Sequence, residues 1–195
     1  KYYNYIMWFV CGLGNPGKKY INTRHNIGFN FFDSIIDKYN FELKKKDKSK
    51  EILKGLISRK NCLFCKPMIY MNQSGPAIKE VLNFYKIPKS KTIIIHDDID
   101  LIVGKVKIKN GGGNGGHKGL SSIDESIGRN YKRLRIGVGH PGSKELVSSH
   151  VLGKFNREDR KIIDNIIELL TEKFSLIFED DALLLTKLAS EIYKY

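Results

Sequence analysis

Apolar residues in this chain recur in two rhythms that alternate along its length. Ile6-Met7-Trp8-Phe9-Val10 and Thr92-Ile93-Ile94-Ile95 are short, nearly unbroken runs that predict buried strands. Phe29, Phe31, Phe32, Ile35, Ile36 and Tyr39 instead follow helical spacing, as do Ala77, Ile78, Val81, Leu82 and Tyr85. Ser74 is the expected N-cap of the second helix, with Pro76 in its first turn and Pro88 ending it. Residues 54 to 66 predict one or two strands with Lys60-Asn61 as a hairpin turn, and further strands are expected at 105 to 109 and 133 to 139. A helix should fill 119 to 128; Asn156 with Asp159 opens a long one to about Phe178, and Asp180 opens a last one ending near Tyr193. No repeat or linker interrupts the alternation. The expected architecture is a single α/β domain over residues 1–195, with three α/β/α layers and a twisted mixed central sheet flanked by helices.

Composition narrows the class. The chain has 195 residues, 41% of them hydrophobic, enough for a full core, and no apolar run approaches the roughly 20 residues of a membrane helix. Cys11, Cys62 and Cys65 are too few for a disulfide framework, which favours a reducing compartment. Cytoplasm is the expected location, with a mitochondrion or plastid as the alternative if a targeting segment precedes Lys1. Thirty-four Lys and Arg against twenty-one Asp and Glu give a net charge of +13. Such a balance fits a polyanionic partner such as nucleic acid, or equally a lysine-rich surface with no partner. Lys44, Lys45, Lys46, Lys48 and Lys50 predict a solvated loop, whereas Lys105, Lys107 and Lys109 share one strand face that leads into a glycine-rich segment.

Polar residues gather just beyond the two apolar runs. Gly12-Leu13-Gly14-Asn15-Pro16-Gly17 and then Thr23-Arg24-His25-Asn26 follow the first, and His96-Asp97-Asp98-Ile99-Asp100 closes the second. If the strands are neighbours, His25 and Asp97 meet at the carboxyl end of the sheet, where open α/β folds place ligand sites, and a carboxylate-oriented histidine is a general base suited to neutral pH. The first glycine segment is no dinucleotide fingerprint, since Pro16 removes a donor and the third glycine is misplaced. Gly111 to Gly119 is no Walker loop; it reads either as a floppy connector or as a loop that lets a ligand approach the backbone. Cys62-Leu63-Phe64-Cys65 in a strand points its sulfurs to opposite faces and is no zinc half-site. Asp97, Asp98 and Asp100 with nearby histidines keep a metal site open, unless Asp98 and Asp100 merely begin a turn. His117, His140 and His150 carry little weight individually.

Five blocks together resemble the bacterial-type peptidyl-tRNA hydrolases. They are the Gly12–Gly17 segment with Tyr20 and Thr23-Arg24-His25-Asn26, Lys66 to Gly75, His96 to Asp100, the glycine loop with Gly116-His117, and Arg133 to Gly142. Their order also resembles the family's, over about residues 6 to 178. The resemblance implies a monomeric α/β enzyme without metal or cofactor, acting on the acceptor end of peptidyl-tRNA and cleaving the ester between peptide and tRNA. By position it implies His25 as the base that activates water, Asp97 as its partner, and Asn15 and Asn72 as amides holding substrate and water. Tyr20 and Met71 would line the peptide cleft, and Lys109 and Arg135 would meet tRNA phosphates. Lys118 departs from the asparagine usual in the family after the loop histidine, and changes the charge of the substrate site. Two other classes are carried: a metal-dependent phosphoesterase built on Asp97, Asp98 and Asp100, and a non-catalytic RNA-binding module.

Overall fold

A computed structural model describes residues 7–192 of the protein, so Ile6 in the first predicted strand and the predicted helix end at Tyr193 lie outside the described residues. Its elements are β1 (Trp8–Gly12), α1 (Ile27–Lys38), β2 (Glu42–Lys46), β3 (Lys50–Ile57), β4 (Lys60–Pro67), α2 (Ser74–Phe84), β5 (Thr92–Asp98), β6 (Val106–Asn110), α3 (Lys118–Ile127), β7 (Lys132–Gly137), α4 (Val147–Leu152), α5 (Arg157–Lys173) and α6 (Asp181–Ile192). The strands form one seven-stranded mixed sheet in the order β2-β3-β4-β1-β5-β7-β6. Strands β4, β1, β5 and β7 are parallel neighbours, and the outer pairings are antiparallel.

The two central apolar runs are continuous because both faces of the sheet are covered. Trp8, Val10, Ile93 and Ile95 face the cluster that holds Phe31 of α1, Ile166 of α5 and Leu184 of α6. Phe9, Cys11 and Ile94 face Ile78 of α2 and Ile123 of α3. These are the expected three layers. Cys62 and Cys65 fall in opposite clusters, as strand geometry requires, and burial pushes the Cys62 thiol up to about 12.

Four local expectations are corrected. The Lys44 to Lys50 stretch is not a loop: it forms β2, a tight turn and the first residue of β3. All five residues of β2 are exposed, so no apolar alternation marks the strand; Lys44 pairs with Glu42, Lys45 with Asp47 and Lys46 with Glu51, while the buried Lys50 ammonium sits 2.6 Å from Glu80. The β3–β4 turn falls at Ser58 and Arg59, both at positive φ as a two-residue hairpin turn requires, and not at Lys60-Asn61. Ser74 does not cap α2; its hydroxyl donates back to the Met71 carbonyl at 2.9 Å, and Gln73 occupies the N-cap position. The short helix α4 has no counterpart among the predicted elements. Asn156 and Asp180 do cap their helices, accepting from Asp159 N (2.8 Å) and Leu183 N (2.9 Å).

Candidate active site

Strands β1 and β5 are neighbours, and the chain leaves their carboxyl ends toward opposite edges of the sheet, on to β2 on one side and β6 on the other. That divergence opens a crevice in any open α/β sheet. Helix α1 enters it on a backbone contact: a Cβ on Gly28 would collide with the Leu13 backbone and the Ile95 carbonyl, and one on Gly12 with Gly28. Glycine is needed at both positions, and their closeness brings the turn at Arg24–Asn26 against the end of β5. Asn26 braces this turn to the loop after β1. Its Oδ1 accepts from Asn15 N at 2.8 Å and its Nδ2 donates to Asn15 O at 2.9 Å, an exchange of two buried hydrogen bonds that neither residue could make with water.

His25 and Asp97 therefore meet. The His25 Nδ1–H donates to both oxygens of Asp97, at 2.8 and 3.0 Å, which fixes the tautomer and leaves the Nε2 lone pair as the basic end of the ring. His117, inconspicuous in the sequence, is the third member. Its Nδ1 accepts from the Gly119 and Leu120 amides at 3.1 and 3.3 Å, capping α3, so the proton sits on Nε2 and is donated to Asp97 Oδ1 at 3.0 Å. Asp97 thus receives two imidazole N–H groups on one carboxylate. The available signal is positional: a polar residue directly before an apolar helical stripe. His96 completes the cluster, its Nδ1–H donating to the Asp97 carbonyl at 2.6 Å and its ring centroid 5.1 Å from that of His117 in an edge-to-face arrangement.

Electrostatics give these rings different roles. Burial disfavours the charged form of His25, but the Asp97 charge and hydrogen bond outweigh it, so the group stands above its ordinary value, with Lys118 pulling the other way. Burial also opposes ionisation of Asp97, yet the two histidines hold its carboxyl far below the usual carboxylate range. His96 is pushed down to about 3, first by burial and then by His117, and stays uncharged.

The cluster opens into a cleft of about 760 Å³, lined by Asn15, Tyr20, His25, Met71, Asn72, Asp97, Lys109, Lys118 and Arg135, so every site residue expected from the sequence is brought to one place. Two are more committed than expected. Asn15 Oδ1 already accepts Met71 N at 2.8 Å, which leaves its Nδ2 donors to offer. Arg135 is ion-paired through Nε to Asp98 Oδ2 at 2.6 Å. The glycine loop is no floppy connector. Buried Arg133 donates from its two Nη atoms to the carbonyls of Gly113 (2.7 Å) and Gly112 (2.8 Å) and pairs with Asp124 of α3 at 3.1 Å.

A metal centre on Asp97, Asp98 and Asp100 is not supported. Asp98 spends one oxygen on Arg135 and the other on the Asp100 N–H at 2.9 Å, the turn considered as the alternative. His25, Asp97 and His117 do place donor atoms within 4.8 Å of one another. Ligands of a tetrahedral zinc stand roughly 3.3 Å apart, however, and here N–H groups point directly at the carboxylate at 2.8 and 3.0 Å. The set is a hydrogen-bonded cluster of two imidazoles on one carboxylate.

Residues 9–193 match the protein family described as Peptidyl-tRNA hydrolase. The chain belongs to that family. The peptidyl-tRNA hydrolase of Bartonella quintana is 44% identical over 188 residues, spanning 96% of this chain and 97% of the relative. That of Rickettsia canadensis is 47% identical over 175 residues, spanning 89% and 95%. Among solved structures, the peptidyl-tRNA hydrolase of Acinetobacter baumannii superposes with a TM-score of 0.87 at 39% identity, covering 94% of this chain and 95% of that one. The hydrolase fold is thus shared over nearly the whole chain, at an identity high enough to carry the family and not the fold alone.

Proposed function

We propose that this chain, acting as a cytoplasmic monomer, hydrolyses the ester between peptide and tRNA in peptidyl-tRNA and so returns tRNA from aborted translation. The observation that carries the reading is the His25–Asp97 pair, with its basic Nε2 in the cleft of a chain from the peptidyl-tRNA hydrolase family. His25 Nε2 takes a proton from water as the oxygen attacks the ester carbonyl, and Asp97 holds the ring and offsets the imidazolium that forms; the tetrahedral intermediate then collapses, the bond from the acyl carbon to the tRNA ribose oxygen breaks, and the imidazolium returns its proton to that departing oxygen. His117 shares the carboxylate and ties it to α3. Since His117 Nδ1 already accepts from the Gly119 and Leu120 amides, those two N–H groups are not free to hold the oxyanion. Asn15 Nδ2, the Asn72 amide and the Lys118 ammonium are the donors offered to the carbonyl and the water. Tyr20 and Met71 receive the peptide, and Lys109 and Arg135 meet phosphates of the acceptor end.

The test is release of N-acetylated amino acid from acetyl-aminoacyl-tRNA, with unblocked aminoacyl-tRNA as the control. Turnover of the blocked ester, unchanged by EDTA, is expected. Binding of tRNA with no turnover would favour the RNA-binding module.

Lys118→Asn probes the charge that distinguishes this site. Removing a cation that opposes protonation of His25 raises the pKa of the base, so the acid limb of kcat/KM moves to higher pH. An acid limb that stays in place would mean that Lys118 acts on substrate alone.

A further inference from the structure

Helix α4 is a wall of the cleft, to which it contributes Val147, Ser148 and Val151. Six residues with no side-chain N-cap cannot hold a helix by themselves. What holds this one is its carboxyl end. The His150 Nε2–H donates to the carbonyls of Gly139 (2.8 Å) and Val138 (3.1 Å), tying the last turn to the end of β7. From the other side comes Arg24, the residue directly before His25. Its backbone N–H donates to Gly153 O at 3.0 Å, and its Nη1 donates to His150 O at 3.2 Å and Lys154 O at 2.9 Å. The guanidinium lies 5.0 Å over the Phe155 ring, and Thr23 bridges Lys154 in antiparallel register. A planar cation fits here because carbonyls at a helix end carry partial negative charge and the fork can serve two of them.

We infer that Arg24 is a positioning residue that joins the α4 wall to the turn bearing His25, so that the apolar wall and the base keep one spacing. The inference rests on the hydrolase reading and names the group that sets the width of the substrate cleft. Arg24 takes no part in the His25–Asp97–His117 hydrogen bonds. Its loss therefore alters the grip on substrate and spares the chemistry.

Arg24→Ala and Arg24→Lys would be compared with wild type on N-acetylphenylalanyl-tRNA and N-acetylglycyl-tRNA. For Arg24→Ala, KM for the phenylalanyl ester should rise about ten-fold, as on losing one or two anchoring hydrogen bonds, and less for the glycyl ester. The kcat should stay within about two-fold and the acid limb of the pH profile should not move. Lysine should restore part of the effect, since it offers a point charge without the fork. A fall in kcat at unchanged KM, or an equal rise in KM for both esters, overturns the inference. Hydrogen–deuterium exchange on the free proteins decides the tether without any activity: residues 147–153 should exchange faster in Arg24→Ala while β1 and β5 are unchanged, and equal exchange in α4 overturns it. Absence of turnover in wild type would instead sink the hydrolase reading.

Discussion

His25→Ala should lower ester hydrolysis by roughly 10²- to 10⁴-fold, the usual contribution of a positioned general base, while the Kd for deacylated tRNA stays within about two-fold. The asymmetry follows from the geometry. The ring spends Nδ1 on Asp97 and turns its Nε2 to the cleft, a group suited to taking a proton from water and not to holding a phosphate. Folding should survive, because the turn that carries it is braced by Asn26 and Asn15 and packed through Gly28. Single-turnover hydrolysis beside a tRNA-binding isotherm would check this. A loss of binding as large as the loss of rate would move His25 out of the role of base.

Asp97→Asn should cost about 10³- to 10⁴-fold in kcat, as in other carboxylate-oriented histidines. Asp97 receives N–H groups from both His25 and His117. An amide removes the charge that offsets the imidazolium and sets an NH₂ against one of those donors. The surviving activity should also change its pH dependence. The Asp97 charge and hydrogen bond raise the pKa of His25; without them it falls, and the acid limb of kcat/KM moves to lower pH. An unchanged rate would dissolve the pair, and a slower enzyme with an unmoved acid limb would reduce Asp97 to a steric support.

The pair is legible in the amino-acid order because two apolar strands end in polar residues, and parallel neighbours in a doubly covered sheet leave only that end for a site. His117 is not legible in the same way. Its standing depends on α3 docking so that one ring nitrogen caps the helix while the other reaches Asp97, and no local pattern encodes that distance. Arg133 is hidden for a related reason: an arginine between strand residues reads as surface until its partners, the Gly112 and Gly113 carbonyls about twenty residues upstream, are known. Helix α4 escapes because its stability lies in Arg24 and His150 and not in its own six residues. Strand β2 escapes because a strand exposed on both faces has no alternation to show.

That last strand also bears on how the molecule behaves in a crowded solution. As an outermost strand, β2 presents a row of unpaired backbone groups, an invitation to another chain's strand. Lys44, Lys45 and Lys46 stand along it, each held beside an acidic neighbour, so an incoming strand would have to strip water from a ladder of ion pairs before gaining a hydrogen bond. The opposite rim, β6, carries Lys107 and Lys109, both exposed. Lysine therefore guards both open margins of the sheet against fibre-like stacking, and at one of them Lys109 also lines the cleft.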